Sequence, residues 1–221
     1  MTGRGALRLW PLFAGVAVLA ALWAGPLPEM SRTAFSMHMI LHLGVVALAA
    51  PLLAIGIARW GLDLDGLRRP ALWAIAASVF EMAVVWSWHA PALHEAAARH
   101  APVFAVQQAS FLAAGLGLWT IGFAARSRSG KATAVVAFLM TGMHMTVLGV
   151  LLIAAPTLIY APRFCLGAFG MASIEDQRLG GVLMAGWGSL AYFAGGLALC
   201  VRLLAPQEPA SRGGTASVPP A

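Results

Sequence analysis

Six long apolar runs, at roughly residues 8–24, 36–58, 71–89, 102–124, 132–154 and 180–204, alternate with short segments that hold nearly all of the chain's charge. A run of about 20 apolar residues matches the hydrocarbon thickness of a bilayer. In hydrocarbon a backbone must satisfy its own polar groups, which a helix does within one segment, and the alternating pattern of a barrel strand is missing here. The runs therefore predict an all-α fold: a polytopic membrane helical bundle of about six transmembrane helices. Of 221 residues, 60% are hydrophobic and 10% charged, which leaves no room for a separate soluble domain. Residues 1–205 are expected to form one transmembrane domain. The tail 206–221, rich in Pro, Gly, Ser and Ala, buries too little apolar surface to offset the entropy of ordering it and is expected to be a disordered cytoplasmic segment.

The net charge is +6, yet Lys and Arg are scattered through the connections and form no stripe with aromatics, which excludes nucleic acid as a partner. Topology accounts for them. Arg4, Arg8, Arg59, Arg68, Arg69, Arg126, Arg128, Lys131, Arg202 and Arg212 fall on one side of the bundle, and Arg32, Arg99, Arg163 and Arg178 on the other. The positive-inside rule then places both termini in the cytoplasm of a multi-pass cell-membrane protein. The first run, after Arg4 and Arg8, also has the form of a signal peptide; its length and Trp23 at the cleavage position favour a retained helix. Cys165 and Cys200 form no C-x-x-C pair, so neither a zinc knuckle nor a dithiol copper motif is present.

Polar groups inside an apolar bundle are costly, so each one is a site candidate. His38 and His42 stand four apart at the outer end of the second run, which places both imidazoles on one helical face within reach of a shared metal. Met37 and Met39 flank His38, and thioether with imidazole suits Cu(I) better than Mg or Ca. Neighbouring residues on a helix diverge by about 100°, however, so the Met-His-Met triplet cannot ligate one ion unaided. His89 closes the third run in WSWHAP and is a further candidate ligand. His94, Glu95 and His100 follow in what reads as an outer loop, with His94 and His100 as solvated interfacial residues. His144, in a second Met-His-Met triplet, lies deeper and is a weaker candidate. Glu81, mid-helix, must face the bundle, be protonated, or pair with a buried partner. Gln107 and Gln108 lie just inside the fourth run, and Glu175, Asp176 and Gln177 introduce the sixth. Depth alone puts His38, His42, His89, Gln108 and Asp176 at one level. Pro51 should kink the second helix, and Gly115/Gly117 and Gly195/Gly196 should permit close helix approach. No G-x-S-x-G, H-E-x-x-H or Walker pattern occurs, so an enzyme is not expected.

Five segments in order, HMILHLGVVALAAPLL, WSWHAPALHEAA, FLAAGLGLW, APTLIYAP and EDQRLGGVLM, resemble the CtaG family of cytochrome c oxidase assembly factors associated with caa3-type oxidases, over much of residues 36–204. The resemblance implies an assembly factor that assists maturation of a copper centre in a haem–copper oxidase, with oxidase subunits or other assembly factors as partners and the bilayer around it. Carried over by residue, it implies His38, His42, His89, Asp176 and Gln177 as functional positions, with Met184 as a weaker one. It also allows a seventh helix. One departure stands out: where the family commonly has an E-H pair before SFL, this chain has Gln107-Gln108, and Gln is a poor ligand for a soft metal. The alternative reading is a membrane haem-binding or electron-transfer protein with axial histidines from two helices.

Overall fold

The structure, a computed structural model, describes residues 3–62, 64 and 69–205; the expected tail, Arg68 and Arg212 lie outside the described residues. Among the described residues there is no strand, and each apolar run is a helix. The long elements are α1 (Gly3–Ala24), α2 (Phe35–Trp60), α3 (Pro70–His89), α4 (Pro91–Arg99), α5 (Ala101–Ala124), α6 (Arg128–Ala154) and α7 (Ser173–Leu204). A single helical turn, Leu27–Met30, links α1 to α2. Helices α2, α3, α5, α6 and α7 are each long and apolar enough to cross a membrane, and α1 adds a shorter apolar stretch, Arg8–Ala24. The additional helix, α4, is far too short to span. The chain is a multi-pass membrane protein.

Short connections make successive spans antiparallel. One end of the bundle therefore carries the start of α2, the end of α3, α4 and the start of α7; we call it the histidine end. The other carries Arg59, Arg69, Arg126, Lys131 and Arg202 and is the basic end. Helix α2 is central, packed against α1, α5 and α7, while α6 bridges α3 and α7. Outward side chains such as Leu72, Ile75, Val79, Phe80, Leu190 and Leu197 are more than half exposed, a surface that only lipid accommodates.

Glycines set the closest crossings. A Cβ at Gly56 would lie 2.7 Å from the backbone nitrogen of Leu12, so α1 sits directly on α2. A Cβ at Gly149 would lie 2.6 Å from Ala185 N and Gly181 O, which brings α6 and α7 backbone to backbone. Of the glycine pairs singled out in the sequence, Gly115 meets Val46 and Gly195 meets the Trp119 ring, whereas Gly117 faces open space.

The expected disturbance at Pro51 takes the form of a π-helical turn over Val45–Ala49. Ala50 N–H reaches back to Val45 O, and Pro51 has no N–H, so Val46 O is left without its helical donor. The buried Trp119 of α5 fills that position, its indole Nε1 donating to Val46 O at 2.9 Å. A second π turn, Met184–Gly188, interrupts α7. Helix α7 begins at Ser173, earlier than the expected 180, because its polar opening is a helical first turn. There Glu175 accepts from Ala172 N–H at 3.1 Å, and two acids lie at the positive end of the helix dipole.

Candidate functional site

Helix α2 presents His38 and His42 inward, and α3 ends on His89; all three are at most 5% exposed. A fourth imidazole joins them. The segment after His89, expected to be a loop, is helix α4, with Pro91 in its first turn and His94 and Ala97 one turn apart on its buried face. His94 is 3% exposed, so the reading of it as a solvated interfacial residue is corrected, whereas His100 is exposed as expected. The signal for His94 lies in PALHEAA: a proline that opens a helix, then His and Ala at helical spacing.

Ring centroids lie 5.5 Å apart for His38–His89, 5.3 Å for His42–His89, 4.7 Å for His38–His94 and 6.3 Å for His38–His42. Aromatic rings wall the group. Phe111 of α5 packs on His42 at 4.1 Å, and Phe35, stacked on Tyr160 at 4.6 Å, covers His94 at 5.4 Å. Gly180 of α7 leaves the space that the Phe35 ring occupies. Tyr160 donates through its hydroxyl to His89 O at 3.0 Å, and burial raises the pKa of that hydroxyl well above its ordinary value, so it stays a neutral donor. Burial, with His89 beside it, pushes the His94 imidazole down to about 3, leaving it neutral across the physiological range.

The nitrogens are what make this cluster a candidate site. His89 Nδ1 lies 2.7 Å from Val85 O and is fixed as the protonated nitrogen, which turns the lone pair of Nε2 outward into the cluster. His38 Nε2, His42 Nδ1 and Nε2, His89 Nε2 and His94 Nδ1 are all buried with no hydrogen-bond partner. Orphaned buried groups are rare, and each costs about 1–3 kcal/mol. Several on neighbouring rings fit a ligand that takes imidazole lone pairs. Among the described residues, no three His, Cys, Asp or Glu side chains are grouped so as to hold a metal ion as they stand.

The other expected residues fall elsewhere. Asp176 is fully buried and caps α2: its carboxylate accepts from Phe35 N at 2.6 Å, from Ser36 N and Ala168 N at 3.3 Å each, and from the Ser36 hydroxyl. Gln177 ties the α6–α7 connection, accepting from Ile159 N at 2.8 Å and donating to Leu152 O at 3.3 Å. Gln108 turns toward α1, where it accepts from Trp23 Nε1 at 3.3 Å and lines a cavity of about 320 Å³ with Phe104. Met39 and Met184 pack into the main apolar core, while Met37 belongs to a separate small cluster with Ala34 and Ala168. The divergence expected of adjacent residues is thus realised. Glu81 faces the bundle, fully buried, and accepts from the Tyr192 hydroxyl; His144 Nε2 stands 3.9 Å from its other oxygen.

Neither comparison with curated proteins nor comparison with solved structures gives a significant match. The family comparison does: the chain matches the cytochrome c oxidase caa3 assembly factor (Caa3_CtaG) model over residues 4–205. That match covers all six apolar helices and every histidine of the cluster, and the chain belongs to the cytochrome c oxidase caa3 assembly factor family.

Proposed function

We propose that this protein assists the maturation of a copper centre in a haem–copper oxidase by holding Cu(I) among His38, His42 and His89 at the outer side of the cell membrane, and that it turns over no substrate. The observation that carries the reading is the set of buried, unpartnered imidazole nitrogens on neighbouring rings. Neutral imidazole is a suitable donor for copper, and a monovalent ion brings less charge into an apolar interior than a divalent one. When bound, copper supplies a transferable ion and no bond-making chemistry. The chain's own residues fix the tautomer of His89 through Val85 O, exclude water with Phe35, Phe111 and Tyr160, and anchor the start of α2 through Asp176. The outer placement rests on the excess of Lys and Arg at the basic end. Partners are an oxidase subunit or another assembly factor, met at the histidine end. The haem alternative is less favoured, because histidine rings packed against one another at 4.7–5.5 Å, with Phe111 on His42, leave no plane for a porphyrin between them.

The test is the oxidase itself. In a strain lacking this protein, or carrying only its His38→Ala/His42→Ala form, purified oxidase should contain its protein subunits and haem but be depleted in copper. Fully metallated oxidase at normal levels in either strain would overturn the proposal.

A further inference from the structure

Below the histidine cluster, His144 of α6 has both ring nitrogens buried without a hydrogen-bond partner and is only 6% exposed. Its Nε2 faces Glu81 Oε2 at 3.9 Å, and Glu81 is itself held by the Tyr192 hydroxyl. At that distance no hydrogen bond forms, so both ring nitrogens of His144 and the second Glu81 oxygen are left without a partner inside the bundle. His144 also lines a cavity of about 250 Å³ between α3 and α6, together with Ser78, Met82, Met140 and Met143. Three of the chain's ten methionines therefore share one cavity with an unpartnered imidazole.

Met140, Met143 and His144 follow the i, i+3, i+4 spacing that puts them on one face of α6, and Met82 comes from α3 opposite. The methionines are 40–55% exposed on the lipid-facing side, where Leu or Val would satisfy the bilayer equally well; what thioethers add is a soft donor. Ser78 is committed elsewhere, donating to Ala137 O at 3.3 Å and lying 3.0 Å from the Thr141 hydroxyl. The donors left to a ligand are sulfur and imidazole nitrogen.

We propose that this cavity is a second, intramembrane site for a soft monovalent cation, Cu(I), on His144 and the thioethers of Met82, Met140 and Met143. The proposal rests on the preceding reading only in taking Cu(I) as the ion the protein handles. His144 lies farther along α6 from the histidine end than His42 lies along α2, so the cavity is deeper in the bundle than the histidine cluster.

The sulfur donors make the site testable apart from the histidine cluster. Full-length protein, reconstituted and loaded anaerobically with Cu(I), is examined by copper-edge X-ray absorption and metal analysis. Beside it stand a Met82→Leu/Met140→Leu/Met143→Leu variant and a His38→Ala/His42→Ala variant. Leu for Met conserves volume at lipid-facing positions, so the triple variant should fold. The wild type should show sulfur as well as nitrogen scattering. The triple variant should lose the sulfur shell and one equivalent of copper, and the double variant should keep the sulfur shell while losing the copper held by the histidine cluster. A wild type that binds copper without sulfur, or a sulfur shell that persists in the triple variant, overturns this site and leaves the histidine cluster standing. A double variant that binds as much copper as wild type, with the triple variant still losing its sulfur shell, overturns the histidine cluster alone. Wild type that binds no copper overturns both.

Discussion

Replacing Asp176 by Ala should destabilise the histidine end sharply, although the hydrogen bonds that Asp176 accepts come from Phe35, Ser36 and Ala168 and not from an imidazole. The first turn of a helix has N–H groups with no intrahelical acceptor, and the residue at the cap of α2, Ala34, has no side-chain oxygen to offer. Asp176 supplies that acceptor from α7, taking hydrogen bonds from Phe35 N, Ser36 N, the Ser36 hydroxyl and Ala168 N inside a fully buried pocket. A buried donor left without a partner costs about 1–3 kcal/mol. The Ser36 hydroxyl can rotate to another acceptor and the donors share one carboxylate, so the sum overstates the loss. About 3–5 kcal/mol is the expected total, the scale of breaking a buried charged interaction. For a chain of this size, each kcal/mol moves Tm by roughly 2–4 °C, so the apparent Tm in detergent should fall by roughly 6–20 °C. Asp176→Asn keeps the shape and one carbonyl oxygen and should fall by less. Thermal melts followed by the fluorescence of the eight tryptophans measure this. An Asp176→Ala variant that melts within about 2 °C of wild type would refute the capping argument.

Trp119→Phe should cost about 1–3 kcal/mol by orphaning Val46 O in the π turn, seen as a lower apparent Tm; an unchanged melt would mean that water or another donor replaces the indole. Gly149→Val should disrupt the α6–α7 crossing and reduce the monodisperse yield on size exclusion, because the obstructing atoms are backbone; Gly117→Val, with nothing within 4 Å, should behave as wild type. Burial, with the Asp176 charge second, pushes the Cys165 thiol up to about 11. Since the thiolate is the nucleophile, Cys165 should resist maleimide at pH 8 in the folded protein and label once unfolded, with intact mass as the readout. Full native labelling of Cys165 at that pH would contradict its burial.

The helices were legible because the bilayer imposes one length and one polarity on every span, and short polar connections mark where each turns back. Depth was legible too, which is why His38, His42 and His89 were expected at one level and are found together. Rotation was not. Gln108 shares that depth but turns toward Trp23, and Met37 and Met39, two residues apart, go to different apolar clusters. In the sequence, Asp176 joins the functional set through its depth and through the family resemblance. Two of its partners, Phe35 N and Ser36 N, are backbone N–H groups 141 and 140 residues away in sequence, which local pattern does not reveal. His94 was missed for the opposite reason: a short segment with His, Glu and Arg reads as a solvated loop until its Pro-initiated helical spacing is weighed against the aromatic wall of Phe35 and Tyr160.

The central claim is that the unpartnered imidazoles hold copper, and the most direct measurement is the copper and haem content of detergent-purified protein prepared anaerobically under reducing conditions, beside the His38→Ala/His42→Ala variant. The account predicts Cu(I) in the wild type, a clear loss of copper in the variant, and no Soret band in either. Equal copper in both proteins, or a haem spectrum that disappears in the variant, would contradict it.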